Sequence, residues 1–305
     1  MAFTLIEYAK TTQDPIQSAV VEEFAKSSVV LEMLPFKEIV GGSYTYNKEE
    51  RLPGIAFRGI NESYSESTGL VNPQTEALKI MGGDADTDKA LLKREKDFGA
   101  RRASDLVMKA KAAALYFTKI FFDGDEATES KQFDGLNQRL TGNQLITAGA
   151  NGANLDLNLL DQVIDAVVGK PDVLLMGKAM RRQVKSLLTG SSLVQVSQDE
   201  WGRQVEAYDG IRIGIVEKDN DDSEILDFDE TKGSETEAGS LYAVRFGVDT
   251  HLCGIQIEPL EAYDIGELET KPAFRSRIEW QMSIAIFHSR SAARLDGISK
   301  ISGVA

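Results

Sequence analysis

Arg277-Ile-Glu-Trp-Gln-Met-Ser-Ile-Ala-Ile-Phe-His288, running on into Ser-Arg-Ser-Ala-Ala-Arg-Leu-Asp-Gly-Ile298, decides the reading of this chain. Ile278, Trp280, Met282, Ile284 and Ile286 fall on one parity, and Glu279, Gln281 and Ser283 on the other. Period two over about ten residues predicts a strand with one face buried. A short Ser/Arg/Ala link then leads to Arg294-Leu295-Asp-Gly-Ile298, so a second extended segment follows closely.

Working back from that strand, residues 150–217 read helix, strand, helix, strand. Leu155, Leu159, Leu160, Val163, Ile164 and Val167 mark an amphipathic helix stopped by Gly169 and Pro171. Val173-Leu-Leu-Met176 is apolar on both parities and is expected to be a central strand. A second helix runs through Met180, Val184, Leu187 and Leu188 to Gly190, and Asp209-Gly210 signals a hairpin before Ile211, Ile213 and Ile215. Residues 88–122 carry the longest helical pattern, with Leu106, Ala110, Ala114, Phe117 and Phe121 on one stripe. About 35 residues would make a rod of roughly 50 Å. Thr87 is its expected cap, with Asp84, Asp86 and Asp88 near the positive dipole end and Gly124 as its stop.

Gly41-Gly42 and Gly82-Gly83 bracket two β-like runs, Ser43 to Lys48 and Thr75 to Met81. The connection from Arg51 to Pro73 is rich in Gly, Pro and Ser, so the segment predicts a hairpin with a wide polar tip. Ile55, Phe57, Ile60, Tyr64 and Leu70 are too many apolar residues for a solvated loop. Lys48, Arg51, Phe57, Arg58 and Tyr64 are the candidate contacts with another subunit. Residues 1–40 are expected to form an extended arm with a short helix from Ile16 to Leu34, interrupted at Ser27-Ser28. Such an arm has too little of its own to bury and must lie on something else.

The chain has 305 residues, one cysteine (Cys253) and a formal charge of 34 − 48 = −14. One cysteine forms no intrachain disulfide. Cys253 is expected to be a small buried hydrophobe and both histidines, His251 and His288, to be structural residues in strands. The acidic balance argues against a protein that grips phosphates, but like charge allows nucleic acid to be enclosed without adhesion. No run approaches a membrane span or signal peptide. There is no phosphate-binding glycine loop, no dinucleotide fingerprint, no His-Glu-x-x-His and no Gly-x-Ser-x-Gly. No catalytic residue, cofactor or metal is therefore assigned. Asp219 to Glu230 and Asp84 to Glu95 imitate a calcium loop, but the sixth position, which needs glycine, holds Glu224 and Lys89.

The order of parts resembles the major capsid proteins of tailed bacteriophages, a shell fold shared with encapsulins. The expected class is α+β: the tailed-phage capsid fold with N-terminal arm (1–40), extended β-hairpin loop (41–86), long spine helix with peripheral domain (87–147 and 240–305) and axial α/β domain (148–239). Leu241-Tyr-Ala-Val-Arg-Phe-Gly247 and Ile278 to Ile298 are expected to complete the peripheral domain. The resemblance implies self-assembly into hexamers and pentamers of an icosahedral shell enclosing double-stranded DNA. It also implies a separate scaffolding protein or prior cleavage, a portal, decoration proteins, no membrane, and a virion capsid assembled in the bacterial host cytoplasm. Nothing in Lys48 or Lys79 supports the covalent crosslinking some relatives perform. The rivals are an encapsulin-like nanocompartment enclosing cargo protein, a phage tail structural protein, and a small-molecule enzyme built on residues 150–217.

Overall fold

The computed structural model describes residues 4–5, 15–92, 98–188, 194–198 and 204–301. Two sheets carry the molecule. Strand Ala273–Ile286 is the axis of the first, a five-stranded sheet: Lys79–Asp88 pairs along one edge, and Leu252–Gln256 and Glu261–Glu267 share the other. Phe36–Glu38 runs parallel to Leu252–Gln256 at the rim. The predicted parity holds. Ile278, Trp280 and Met282 are buried while Glu279 and Gln281 are not, and beyond Met282 both faces are covered.

Trp280 organises that core. Its ring lies 5.2 Å from each of Phe24, Phe36 and Phe117, which come from three other elements. Its indole N–H donates to the Gln256 side-chain oxygen at 3.0 Å, so the polar atom of a fully buried ring is satisfied.

Phe24 belongs to helix Pro15–Lys26, followed by the short helix Val29–Met33. Ser28 breaks the two as expected. It is extended, caps Val30 N at 3.2 Å, and accepts a hydrogen bond from Thr118 Oγ1 at 2.6 Å. From residue 15 onward, however, the segment is core and not an extended arm: Val20, Val21, Phe24, Leu31 and Leu34 are fully buried within their own chain. They bury here because the spine helix presents Phe117 and Phe121 to the same cluster. Residues 1–3 and 6–14 of the expected arm lie outside the described residues.

The spine helix is Phe98–Asp123, 26 residues or about 39 Å, shorter than the sequence suggested. A strand occupies Lys79–Asp88 and a short helix Lys89–Leu92. Asp84 and Asp86 are therefore not dipole partners. They sit directly across from Arg277 and Arg275, and each carboxylate takes two hydrogen bonds from its arginine at 2.6–3.0 Å. Acids at every second residue matched to arginines at every second residue specify a strand pair, and that overrides the cap reading. Thr87 donates to Asp105 Oδ2 at 2.8 Å on the helix flank instead of capping its end. The run Thr75 to Met81 also divides. Leu70–Ala77 pairs with Ser43–Arg51, whereas Lys79 onward joins the large sheet.

The second sheet has eight strands around Val173–Gly177, buried at every position. Ile211–Val216 runs parallel to it across helix Lys178–Leu188, the expected α/β crossover. Asp209 and Gly210 take φ of 48° and 72° between antiparallel Gln204–Tyr208 and Ile211–Val216, as the Asp-Gly signal requires. Glu235–Val244 and Ala292–Ser299, expected beside the peripheral strands, run in this sheet, Glu235–Val244 next to Val173–Gly177 and Ala292–Ser299 on its far side. Their apolar residues Leu241, Ala243, Leu295 and Ile298 face helix Leu157–Ala166, and that shared core draws them over. Cys253 is buried as expected, and burial pushes its thiol up to about 12. His251 and His288 lie just outside strands, in the two links between the sheets.

Two expectations follow. Phe24→Ala costs about 3–5 kcal/mol, read as a lower chemical-denaturation midpoint of the unassembled subunit; a midpoint unchanged would show that residues 15–34 are a dispensable arm. The hydrogen bonds from Arg277 and Arg275 hold the Asp84 and Asp86 carboxyls below the usual carboxylate range. Their contribution is present above about pH 4 and lost as pH falls through the folded values. The acid side of the thermal-stability curve should therefore be flatter in Asp84→Asn/Asp86→Asn than in the parent, as calorimetry across pH would record.

Candidate intersubunit surface

Hairpin strands Ser43–Arg51 and Leu70–Ala77 leave the body as a two-stranded sheet, with no third strand among the described residues. Two strands alone are marginal in water, so the base is fastened. Tyr44 and Tyr46 stack at 6.0 Å, and Tyr46 packs on Phe287 at 4.7 Å. The buried Tyr46 hydroxyl accepts from Ile286 N at 3.1 Å and donates to Glu76 Oε1 at 3.3 Å. Burial pushes this phenol up to about 12. Glu76 in turn receives both guanidinium arms of Arg139, at 2.5 and 2.8 Å. The pair is only 14–15% exposed, and a fork-to-fork geometry in such a site fixes direction as well as position.

Residues 52–69 form the tip. Ile55, Phe57 and Ile60 are 97%, 106% and 95% exposed, and Tyr64 is 64% exposed. The tip nevertheless has its own order. Gly54 N donates to Ser67 Oγ at 2.8 Å, Gly59 N to Glu62 Oε2 at 2.8 Å, and Arg58 Nη1 to the Glu62 carbonyl at 3.0 Å. The Arg58 guanidinium lies over the Tyr64 ring at 5.2 Å. Polar groups are thus bonded inward while large apolar side chains point into water. That arrangement makes the tip a candidate contact surface, because contiguous exposed apolar groups in soluble proteins signal partners.

The five expected contact residues do not all meet. Phe57, Arg58 and Tyr64 share the tip. Lys48 pairs with Asn72 near the base and lines a polar cleft of about 680 Å³ with Arg139, Gln144 and Arg290. Arg51 pairs with Leu70 across a bulge, and its side chain lies outside the described residues. Sequence reasoning missed a second apolar surface. Ile80 and Tyr116 are exposed beside a groove of about 310 Å³, also lined by Met81, Ile120, Phe133 and Met282. Parity could have found Ile80, which falls opposite Met81, and helical spacing puts Tyr116 off the buried stripe. The acidic segments that imitated calcium loops are ion-paired, Asp84 and Asp86 with arginines and Asp219 with Lys119 at 2.8 Å. Among the described residues no group of acidic, His or Cys side chains is arranged to hold a metal, and no helix is long and apolar enough to cross a membrane.

The fold built around this hairpin is that of shell proteins. The sequence model of the family Major capsid protein GP7 matches residues 12–158. The holo-SrpI encapsulin complex of Synechococcus elongatus PCC 7942 superposes with a TM-score of 0.67 at 13% identity, covering 90% of this chain and 88% of that one. The capsid of a native GTA particle gives 0.62 at 12% identity, covering 90% and 91%. Mycobacterium phage Bobi gives 0.60 at 12% identity, covering 88% and 89%. No curated protein sequence matches the chain significantly. The chain has the α+β fold that these capsid and encapsulin structures share.

Replacing residues 53–68 with a short Gly-Ser link should leave the thermal midpoint of the isolated subunit unchanged and abolish assembly. Differential scanning calorimetry and light scattering check both halves. Cooperative unfolding at much lower temperature would make the tip part of the core.

Proposed function

We propose that the chain is the major capsid protein of a tailed bacteriophage, assembling as hexamers and pentamers of an icosahedral shell around double-stranded DNA, and that it is not an enzyme. The carrying observation is the anchored hairpin with fully exposed Ile55, Phe57 and Ile60 at its tip. Those side chains find no cover among the described residues, and identical neighbours that cover them generate closed symmetry. The groove beside Ile80 and Tyr116 offers a neighbour's tip an apolar surface of suitable size. A formal charge of −14 suits a container that packs a polyanion without adhering to it.

In this reading residues 41–86 carry the extended loop, the spine helix and five-stranded sheet form the peripheral domain, and the eight-stranded sheet with its helices forms the axial domain. The partners are further copies, a separate scaffolding protein, a portal and decoration proteins. Assembly takes place in the bacterial host cytoplasm and the product is the virion capsid. The second reading, a nanocompartment around cargo protein, is favoured by the encapsulin superposition.

Negative-stain microscopy of the expressed protein, with and without its genomic neighbours, tests the proposal. Closed particles are the expected outcome, and monomers alone at high concentration would sink it. Nuclease-protected DNA inside purified particles supports the capsid, whereas a single co-purifying protein in a DNA-free shell supports the nanocompartment. Arg58→Glu should lower assembly yield and change its salt dependence, since one contact worth ~0–1 kcal/mol repeats at every copy. Unchanged yield across salt would remove Arg58 from the interface.

A further inference from the structure

Strand Lys79–Asp88 lies at the rim of the five-stranded sheet. It pairs along its whole length with Ala273–Met282, and on its other side with no strand among the described residues. Its register runs over ten residues without a shift. It holds no proline, and Gly82-Gly83 put no side chain beside the open edge. Edges of this length are ordinarily blocked by lysines, prolines or bulges. The one lysine, Lys79, is turned away to Glu126 Oε1 at 2.7 Å and the Ser130 carbonyl at 2.8 Å. In an antiparallel pair every second residue turns its N–H and C=O away from the partner strand, so this edge carries a row of backbone groups without partners among the described residues.

The groove of about 310 Å³ runs along this edge. Lys79, Ile80, Met81 and Gly82 all line it, residues of both parities, so it follows the strand's rim and not one face. Tyr116 of the spine helix stands on its other side. The hairpin tip has the complementary form. Residues 52–59 contain no helix, turn or bend. Gly54 N and Gly59 N are bonded within the tip, but the amides of Ile55, Ala56, Phe57 and Arg58 have no partner among the described residues. Ile55 and Phe57 alternate around Ala56, the spacing that puts two apolar side chains of a strand on one side. Charge matches as well. Residues 125–131 beside the groove carry Asp125, Glu126 and Glu129 against Lys131 alone, and the tip brings Arg58.

We propose that Ile55–Arg58 of one copy adds as a strand to the open edge Lys79–Gly82 of a second copy, with Ile55 and Phe57 entering the groove against Tyr116. Main-chain hydrogen bonds supply the adhesion and the groove the selectivity. The strand comes from another subunit, because Ile55 and Phe57 are fully exposed on their own. This contact presupposes the self-assembly reading and gives it a mode, a sheet continued from one subunit into the next. A purely apolar contact would leave two features unused, the unguarded strand edge and the unbonded amides of the tip.

Hydrogen exchange read by mass spectrometry compares the full chain assembled and dissociated. Amides of 55–58 and 79–82 should exchange about tenfold or more slower once assembled. Phe57→Cys/Tyr116→Cys should form disulfides between subunits, a ladder on non-reducing gels that neither single variant gives, since Cys253 is buried. A ladder without amide protection means side-chain contact only, and protection without a ladder means another occupant. Either result overturns the added strand, as does the absence of both in assembled particles, and the assembly reading survives all three. Should the chain stay monomeric, that reading fails and a synthetic peptide of residues 52–60 decides the groove. Adjacent residues of a strand bond on opposite sides, so N-methylation at one of Ala56 and Phe57 should weaken binding about tenfold or more and at the other leave it. No binding of the unmethylated peptide at about 1 mM, or equal binding of the two methylated peptides, overturns the proposal.

Discussion

The contact of Trp280 with Phe24, Phe36 and Phe117 is the constraint on which the remaining structure depends. Each ring comes from a different element: the closing strand, the first helix, the rim strand and the spine helix. Aromatic side chains bury large areas and prefer tilted or edge-on geometry, so four of them meeting at one point fix the mutual angles of their elements. The spine helix is thereby held against the five-stranded sheet, and the first helix is held on both. Gly254 shows how closely these elements approach, since a Cβ there would lie 2.2 Å from the Phe36 ring.

A rigid body makes sense of a projecting hairpin. Its base is fixed by Tyr46 on Phe287 and by the Arg139–Glu76 fork, whereas among the described residues its tip bonds only to itself. A tip anchored in this way delivers Phe57 and its neighbours at a defined position without first ordering a flexible chain. In the proposed assembly, binding through this tip would lose less conformational entropy, which matters when one weak contact is repeated at every copy.

Charge is distributed with the same division between body and surface. The Asp84–Arg277 and Asp86–Arg275 pairs sit on an exposed strand edge, where each contributes little to stability and much to register. Arg139 is almost enclosed, and losing its partner would leave a charge in a dry site. Solvent access, more than charge count, separates pairs that align strands from pairs that hold the hairpin.

The sequence alone determined the features with short-range causes. Alternation between Ile278 and Met282, the all-apolar Val173 to Met176, the Asp209-Gly210 turn, the break at Ser27-Ser28 and the apolar content of the loop each follow from neighbouring residues. The resemblance to capsid proteins rested on their order. Tertiary structure alone decided features whose causes are distant in the chain. Asp84 and Asp86 looked like helix-dipole acids until Arg277 and Arg275, almost two hundred residues later, claimed them across a strand pair. Residues 15–34 looked like an arm because their burial depends on Phe117 and Trp280. Glu235–Val244 and Ala292–Ser299 changed sheets because helix Leu157–Ala166 offers the apolar face they match. Local propensity and period report what a segment can form, while long-range burial and charge pairing select what it packs against, and that selection is not written within the segment itself.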